Sequence, residues 1–168
     1  NFAIRRTTTR IDTLSELSAD TGTVEMSDLK LVQADQEALK DGIRRAALPP
    51  YPQKEVGEDT TLGVYFEVYH LMLDERDRAR YTIDLTVDRV QPRQGIERWV
   101  RSDEELQTTT TTTSETTQRQ SRELFVLDFT AWDDIAAEEN VTLTVRVTDE
   151  LSGASVERDL PLSVKRHD

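Results

Sequence analysis

The chain contains no cysteine and only two histidines, His70 and His167. The first absence excludes disulfides, thiolate zinc sites and cysteine nucleophiles, and the second argues against a histidine-rich metal site or a histidine-based triad. No apolar run approaches the roughly 20 residues of a transmembrane helix. The motifs of phosphate-binding loops, dinucleotide-binding turns, nucleophile elbows and helical zinc sites are also missing. We therefore expect no enzyme activity, no cofactor and no metal.

Lysine is scarce as well, since 4 of the 21 basic residues are lysines and 17 are arginines. Acidic residues number 33, and the net charge is -12. This charge repels the phosphates of nucleic acids and of anionic membranes, so we expect neither nucleic-acid binding nor direct membrane insertion. Many carboxylates beside few lysines are typical of a salt-adapted protein, because high salt screens self-repulsion. An acidic protein encoded by GC-rich DNA is the alternative.

The length of 168 residues predicts about one folded domain. We interpret residues 1–23 as an N-terminal strand or the tail of a preceding module, and residues 24–168 as one β-sandwich domain. The chain starts at Asn1 in the middle of a pattern and without a signal peptide. We expect it to be an excised domain or a trimmed mature protein.

Alternation of apolar with polar residues dominates the chain and predicts β-strands. The stretches concerned are 27–32, 62–71, 81–88, 123–130, 141–148 and 156–164. The stretch 62–71 carries large side chains on both faces, which predicts a central strand covered on both sides, with Leu71 on the same face as Tyr65. Pro161 lacks a backbone donor, so it predicts an edge strand or a bulge.

Residues 107–118 include six consecutive threonines. Because threonine favours strands but this run has no apolar face, it predicts an exposed edge strand or loop. A sugar-bearing stalk or a surface-binding ladder is the functional alternative. The segments 73–80 and 149–153 predict hairpin turns, and 35–47 has the apolar spacing of one short helix.

Seven to eight strands with at most one short helix predict an all-β fold, an antiparallel immunoglobulin-like β-sandwich. The cysteine pair and tryptophan that pin antibody domains are absent, so apolar packing alone has to hold the core. Tyr51, Trp99 and Trp132 are the candidate surface aromatics for contact with a partner.

Carboxylate clusters are the remaining material for chemistry. They are Asp133–Asp134, Glu138–Glu139, Asp149–Glu150 and the acids of the segment 74–77. Loops of this kind supply oxygens for calcium or an acid pair for glycoside hydrolysis, but they lack the spacing of a calcium loop. Composition alone explains them in a chain with 33 acids. His70 at the end of the most apolar strand is interpreted as a partly buried polar cap, with a general base as the alternative.

Two segments resemble the β-sandwich region of bacterial proteins that carry the GWxTD domain and of related envelope proteins. The first joins Met26-Ser-Asp-Leu-Lys-Leu-Val to Leu62-Gly-Val-Tyr-Phe-Glu-Val-Tyr-His-Leu71. The second joins Leu127-Asp-Phe-Thr to Val141-Thr-Leu-Thr-Val-Arg-Val-Thr-Asp149 with Ser152-Gly153. His70 stands where the family pattern has Asn, and the GWxTD sequence itself is absent. The resemblance implies a sandwich module of a larger extracytoplasmic bacterial protein and carries over no functional residue.

We therefore expect a non-catalytic interaction or spacer module in the periplasm or cell envelope. Its partner would be another protein or a neighbouring domain of the same chain. The alternatives are a carbohydrate-binding sandwich, which needs exposed coplanar aromatics, and an accessory domain of an enzyme.

Overall fold

The computed structural model describes residues 22–33, 48–51, 55–57, 60–91, 104–129 and 138–165. These residues form two β-sheets that pack face to face, and no helix occurs among them. The strands are β1 (Glu25–Met26), β2 (Lys30–Val32), β3 (Glu55–Gly57), β4 (Thr61–Tyr69), β5 (Ala79–Gln91), β6 (Glu104–Thr116), β7 (Gln120–Asp128), β8 (Glu138–Asp149) and β9 (Ser155–Lys165).

The smaller sheet has four strands arranged around β4. β7 pairs along one edge of β4, while β1 and β2 share the other edge one after the other, all antiparallel. The interruption between β1 and β2 has a local cause at Ser27. Its hydroxyl accepts a hydrogen bond from the Glu67 N–H at 3.0 Å, in place of a backbone carbonyl.

The larger sheet has five strands in the order β3-β9-β8-β5-β6. Its antiparallel register is continuous from Tyr81↔Asp149 to Val90↔Asn140 between β5 and β8. β3 pairs with β9 in parallel, over Glu55–Gly57 only. Within the described residues, β6 therefore forms one edge of this sheet.

The core lies between the two sheets, as the alternating pattern predicts. Ile83, Leu143 and Val145 are fully buried on the inner face of the larger sheet. Phe66 of β4 packs in the same core cluster as Ile83 and Val145 and stacks on Phe125 with ring centroids 6.2 Å apart. Burial of large apolar side chains on this scale is the main stabilising contribution in a sandwich without disulfides.

The predicted all-β sandwich is confirmed, with two differences in detail. The described residues contain nine strands rather than seven to eight, because the short strands β1, just before the stretch 27–32, and β3 are added to the predicted ones. The β3–β9 pair is parallel, not antiparallel. The expected helix at 35–47 lies outside the described residues.

The prediction of a hairpin at 73–80 is wrong. β4 and β5 belong to different sheets, so this segment crosses from one sheet to the other. The Asp74 carboxylate holds the crossing in shape by accepting hydrogen bonds from the N–H groups of Arg76 and Arg78 at 2.8 and 2.9 Å. Charge in this loop thus organises the backbone, an ordinary use of aspartate in turns.

The predicted position of Leu71 is also wrong. It packs in the core cluster that contains Phe66, not on the face of Tyr65. The cause is His70, whose φ of 61° places it in the left-handed region and reverses the alternation. Histidine, asparagine and aspartate adopt this region more often than other non-glycine residues.

Candidate interaction surface

The edge strand β6 presents a long polar surface. The threonine run lies within this 13-residue strand, and every side chain from Gln107 to Thr113 is exposed. β6 pairs with β5 without interruption, from Ala79↔Thr116 to Gln91↔Glu104. No strand of the described part of the chain pairs with its other edge. That edge therefore offers backbone donors and acceptors to the solvent.

Side-chain contacts hold β6 firmly against β5. Thr111 donates to the Asp84 carboxylate at 2.6 Å, and the hydroxyls of Thr109 and Thr86 lie 2.9 Å apart. Near the end of the strand, Arg80 donates to Glu115. This hydrogen bond lowers the pKa of Glu115 below its ordinary value. The free edge is thus built on an ordered strand.

The other face of β6 extends past the core. Register places Thr110 opposite Leu85 and Thr112 opposite Ile83, so the threonines share the face that packs on the smaller sheet. Leu85 and Ile83 are buried, whereas both threonines are exposed. The smaller sheet consequently does not cover β6, which is accessible on both faces as well as along its edge.

A polar groove of about 400 Å³ lies at the end of the smaller sheet. Glu67 lies in it and is nearly buried, and it accepts hydrogen bonds from the hydroxyls of Tyr65 and Tyr69. The Arg122 guanidinium lies 3.9 Å from the same carboxylate. The remaining lining residues are Thr116, Gln118, Gln120 and Ser121. Amides, a carboxylate and a tyrosine ring here could bind a small polar ligand.

The candidate surface aromatics do not come together in the described residues. Tyr51 is half-buried, donates a hydrogen bond to the Glu55 carbonyl at 3.3 Å, and lines an apolar pocket with Leu48 and Tyr65. Trp99 and Trp132 lie outside the described residues. The only candidate aromatic with a known place is therefore part of the sandwich surface, away from β6.

Several of the described carboxylates in these clusters serve structural purposes. Glu139 is fully buried and forms two hydrogen bonds with Arg89, at 2.8 and 3.0 Å. Asp149 is almost fully buried and accepts from the N–H groups of Met72 and Leu151 at 2.7 and 2.9 Å. The described residues include no group of three or more potential metal ligands. The pair Asp133–Asp134 lies outside them.

His70 is half-buried at the end of β4, consistent with the predicted polar cap. Its Nδ1 atom is buried and has no hydrogen-bond partner in the described part of the chain. His167 lies outside the described residues.

A polar link between the sheets was not expected from the sequence. The Tyr81 hydroxyl contacts Ser121 Oγ at 2.8 Å and donates to the Glu123 carboxylate, joining β5 to β7. Burial, followed by this carboxylate, raises the pKa of Tyr81 above its ordinary value, so the phenol remains a proton donor. The position of Glu123 on the inward face of β7, two residues before Phe125, is the only signal in the sequence.

Comparison with known proteins adds little beyond this geometry. No protein-family model matches the chain, and no curated protein sequence matches it. Among solved structures, the chain is similar to the sporulation control protein Spo0M from Bacillus subtilis, at 8% identity and a TM-score of 0.46. The match covers 87% of this chain and 51% of that one, so the chain spans about half of that protein's length. The described residues contain no helix, and so none that is long and apolar enough to span a membrane.

Proposed function

We propose that this chain is a non-catalytic β-sandwich module that binds a protein partner, or a neighbouring part of its own chain, by strand addition at β6. The observation that carries the proposal is the open edge of β6, exposed from Gln107 to Thr113. An extended segment laid along such an edge gains a full row of backbone hydrogen bonds.

The composition of β6 supports this function, because proteins normally protect an exposed edge strand. The usual devices are charged side chains, above all lysine, together with proline, a bulge or a very short strand. β6 contains neither lysine nor proline, has 13 residues, and pairs with β5 without a bulge; its charged residues, Glu104, Glu105 and Glu115, lie only towards its two ends. A long edge whose central run from Gln107 to Ser114 lacks these devices favours pairing with another strand.

We extend the proposal to the setting of the module. The resemblance to GWxTD-domain sandwiches favours a larger bacterial protein in the periplasm or cell envelope. The charge of -12 and the scarcity of lysine favour a salt-adapted protein. Function as an accessory domain of an enzyme would use the same edge and require no catalytic residue in this chain.

Photo-crosslinking in the cells that make the protein tests the proposal. A photoreactive amino acid at Thr113, on the β6 edge strand, should form a discrete crosslinked product. The same amino acid at Thr142, on an interior strand of the same sheet, is the matched control and should form none. Equal crosslinking at the two positions, or none at Thr113, would contradict strand addition at β6.

The polar groove favours a second candidate function, binding of a saccharide. Tyr69 offers a partly exposed ring, while Gln118, Gln120 and Arg122 offer side-chain donors beside the Glu67 carboxylate. An aromatic face with convergent hydrogen-bonding groups is the chemistry that recognises a sugar ring.

A glycan array, followed by titration of any sugar that binds, tests this second candidate. Tyr69→Ala should abolish binding, because it removes the stacking surface. Thr113→Ala, on the exposed edge strand, is the control and should leave binding unchanged. The candidate fails if no glycan binds, or if Tyr69→Ala binds as well as the wild-type protein.

A further inference from the structure

We propose that the strand added at β6 comes from a second copy of this chain, paired antiparallel about a two-fold axis at Thr111. This inference rests on the proposed function and names its partner. Pairing of this kind would join the two five-stranded sheets into one continuous sheet across the dimer.

The uncharged sequence of β6 favours a second copy as the occupant. The residues from Gln107 to Ser114 form a run without any charge. Such an edge cannot select a partner by opposite charge, although the chain as a whole is strongly acidic. A strand that pairs with this edge is instead favoured by backbone hydrogen bonds and by β-branched side chains opposite the threonines, because threonine–threonine pairs across strands are favourable. A second β6 supplies both along the whole run.

The positions of the glutamates and the length of the paired segment together decide the register, since an axis at Thr112 would pair only residues 108–116 of β6. Two-fold symmetry through the sheet pairs only residues that share a face, so the two residue numbers of each pair have an even sum. An axis at Thr111 pairs residues 106–116 with each other and places Gln107 opposite Glu115. An axis at Thr110 would instead place Glu105 opposite Glu115, and like charges directly opposite each other are destabilising.

Salt should control this association. Two chains that each carry -12 repel each other over about 10 Å at 0.1 M salt, and over only about 3 Å at 1 M. The contact at β6 is uncharged, so low salt does not strengthen the attraction between the two strands. We therefore expect monomers in dilute buffer and dimers in molar KCl.

Charge substitutions at Thr110 and Thr112 test both the partner and the register. Both side chains are exposed, and the proposed axis places Thr110 of one copy opposite Thr112 of the other. The double variant Thr110→Lys/Thr112→Lys puts lysine opposite lysine twice. The variant Thr110→Lys/Thr112→Glu puts lysine opposite glutamate twice. Sedimentation equilibrium of each protein in about 0.1 M and about 1 M KCl gives the dimer dissociation constants.

We expect the wild-type protein to dimerise in 1 M KCl, the two-lysine variant to dimerise about tenfold more weakly, and the lysine–glutamate variant to stay within about twofold of wild type. Urea unfolding of the variants checks that each still folds. A wild-type protein that stays monomeric in 1 M KCl overturns the second copy as partner, and equal weakening by both variants overturns the register. Neither result touches strand addition by another partner, which the crosslinking at Thr113 tests separately.

Discussion

The two edges of the five-stranded sheet are treated in opposite ways. At the β9 edge, β3 covers Ser163–Lys165, and Pro161 removes a backbone donor just before it. Earlier in β9 come three consecutive charged residues, 157–159, and one of them, Arg158, donates to the Met26 carbonyl of the other sheet at 3.4 Å. At the β6 edge, the described residues show none of these devices from Gln107 to Ser114.

This difference shows that an edge strand of this fold can be protected from pairing with another chain. At the β9 edge, a short strand covers part of the edge, a proline interrupts its hydrogen-bond donors, and charged residues line it. The run from Gln107 to Ser114 at the β6 edge has none of these features. An unprotected edge is a liability for aggregation unless something occupies it.

Loss of the buried ion pair between β5 and β8 should have the largest effect on the free energy of unfolding. Arg89→Ala leaves the fully buried Glu139 carboxylate without the guanidinium that pairs with it. We expect a loss of about 3 to 5 kcal/mol in the free energy of unfolding, measured by urea denaturation. The apolar pair Arg89→Met/Glu139→Leu should recover most of that loss.

An exposed ion pair on the same sheet provides the control for this prediction. Arg146 pairs with Glu157, and both side chains are largely exposed. Arg146→Met should cost about 1 kcal/mol or less. Similar losses for Arg89→Ala and Arg146→Met would show that the buried pair contributes no more than a surface contact.

The turn that leads into the protected edge should come next. Asp149→Ala deprives three backbone N–H groups of their acceptor, those of Met72, Leu151 and Ser152. We expect a loss of about 3 kcal/mol, because hydrogen bonds to a buried charged acceptor are among the stronger ones. The neighbouring Glu150 side chain is exposed, so Glu150→Ala should change the free energy of unfolding by only about 0.5 kcal/mol. Equal effects would mean that the turn does not depend on this carboxylate.

Salt should stabilise the whole sandwich without distinguishing the edges. Because the charge of -12 repels itself less as salt rises, the melting temperature should increase by several degrees between low and molar KCl. The two-lysine variant at Thr110 and Thr112, measured alongside, separates folding from association. A melting temperature that does not change with KCl would reject salt adaptation.

The smallest effect is expected where β6 joins β5. The Arg80 hydrogen bond lowers the pKa of Glu115 below its ordinary value of 4.5, so the carboxylate stabilises the fold above that pH and stops doing so as pH falls through its folded pKa. Wild type should be slightly more stable than Glu115→Gln at neutral pH, and the two should converge in acid. A difference that persists at low pH would indicate a contribution from shape and not from charge.

Alternation in the sequence was sufficient to predict the inner faces of the long strands. Ile83, Leu85, Leu143 and Val145 are all buried. Such patterns are reliable in these strands because one face of the larger sheet is apolar and the other is polar. They do not indicate which strands share a sheet, so the crossing at 73–80 was mistaken for a hairpin.

The polar contacts were harder to predict, because they join residues far apart in the chain. Tyr81 and Glu123 come from different sheets, and Arg89 meets Glu139 across a strand pair that alternation cannot specify. Nor does periodicity reveal a change of backbone region at one residue, as at His70. The threonine run predicts an exposed edge strand or loop from its β propensity and its lack of an apolar face, and the pairing of β6 with β5 adds the partner strand and the register.

Residue-resolved amide hydrogen exchange of β6 tests the open edge most directly. In dilute, low-salt solution, the amides from Gln107 to Ser114 should alternate, with those that point to β5 protected and those that point outward exchanging at nearly unprotected rates. The outward amides should become protected in concentrated protein at molar KCl. Uniform protection of all these amides in the dilute sample would show that the edge is already covered within one chain and would contradict the account.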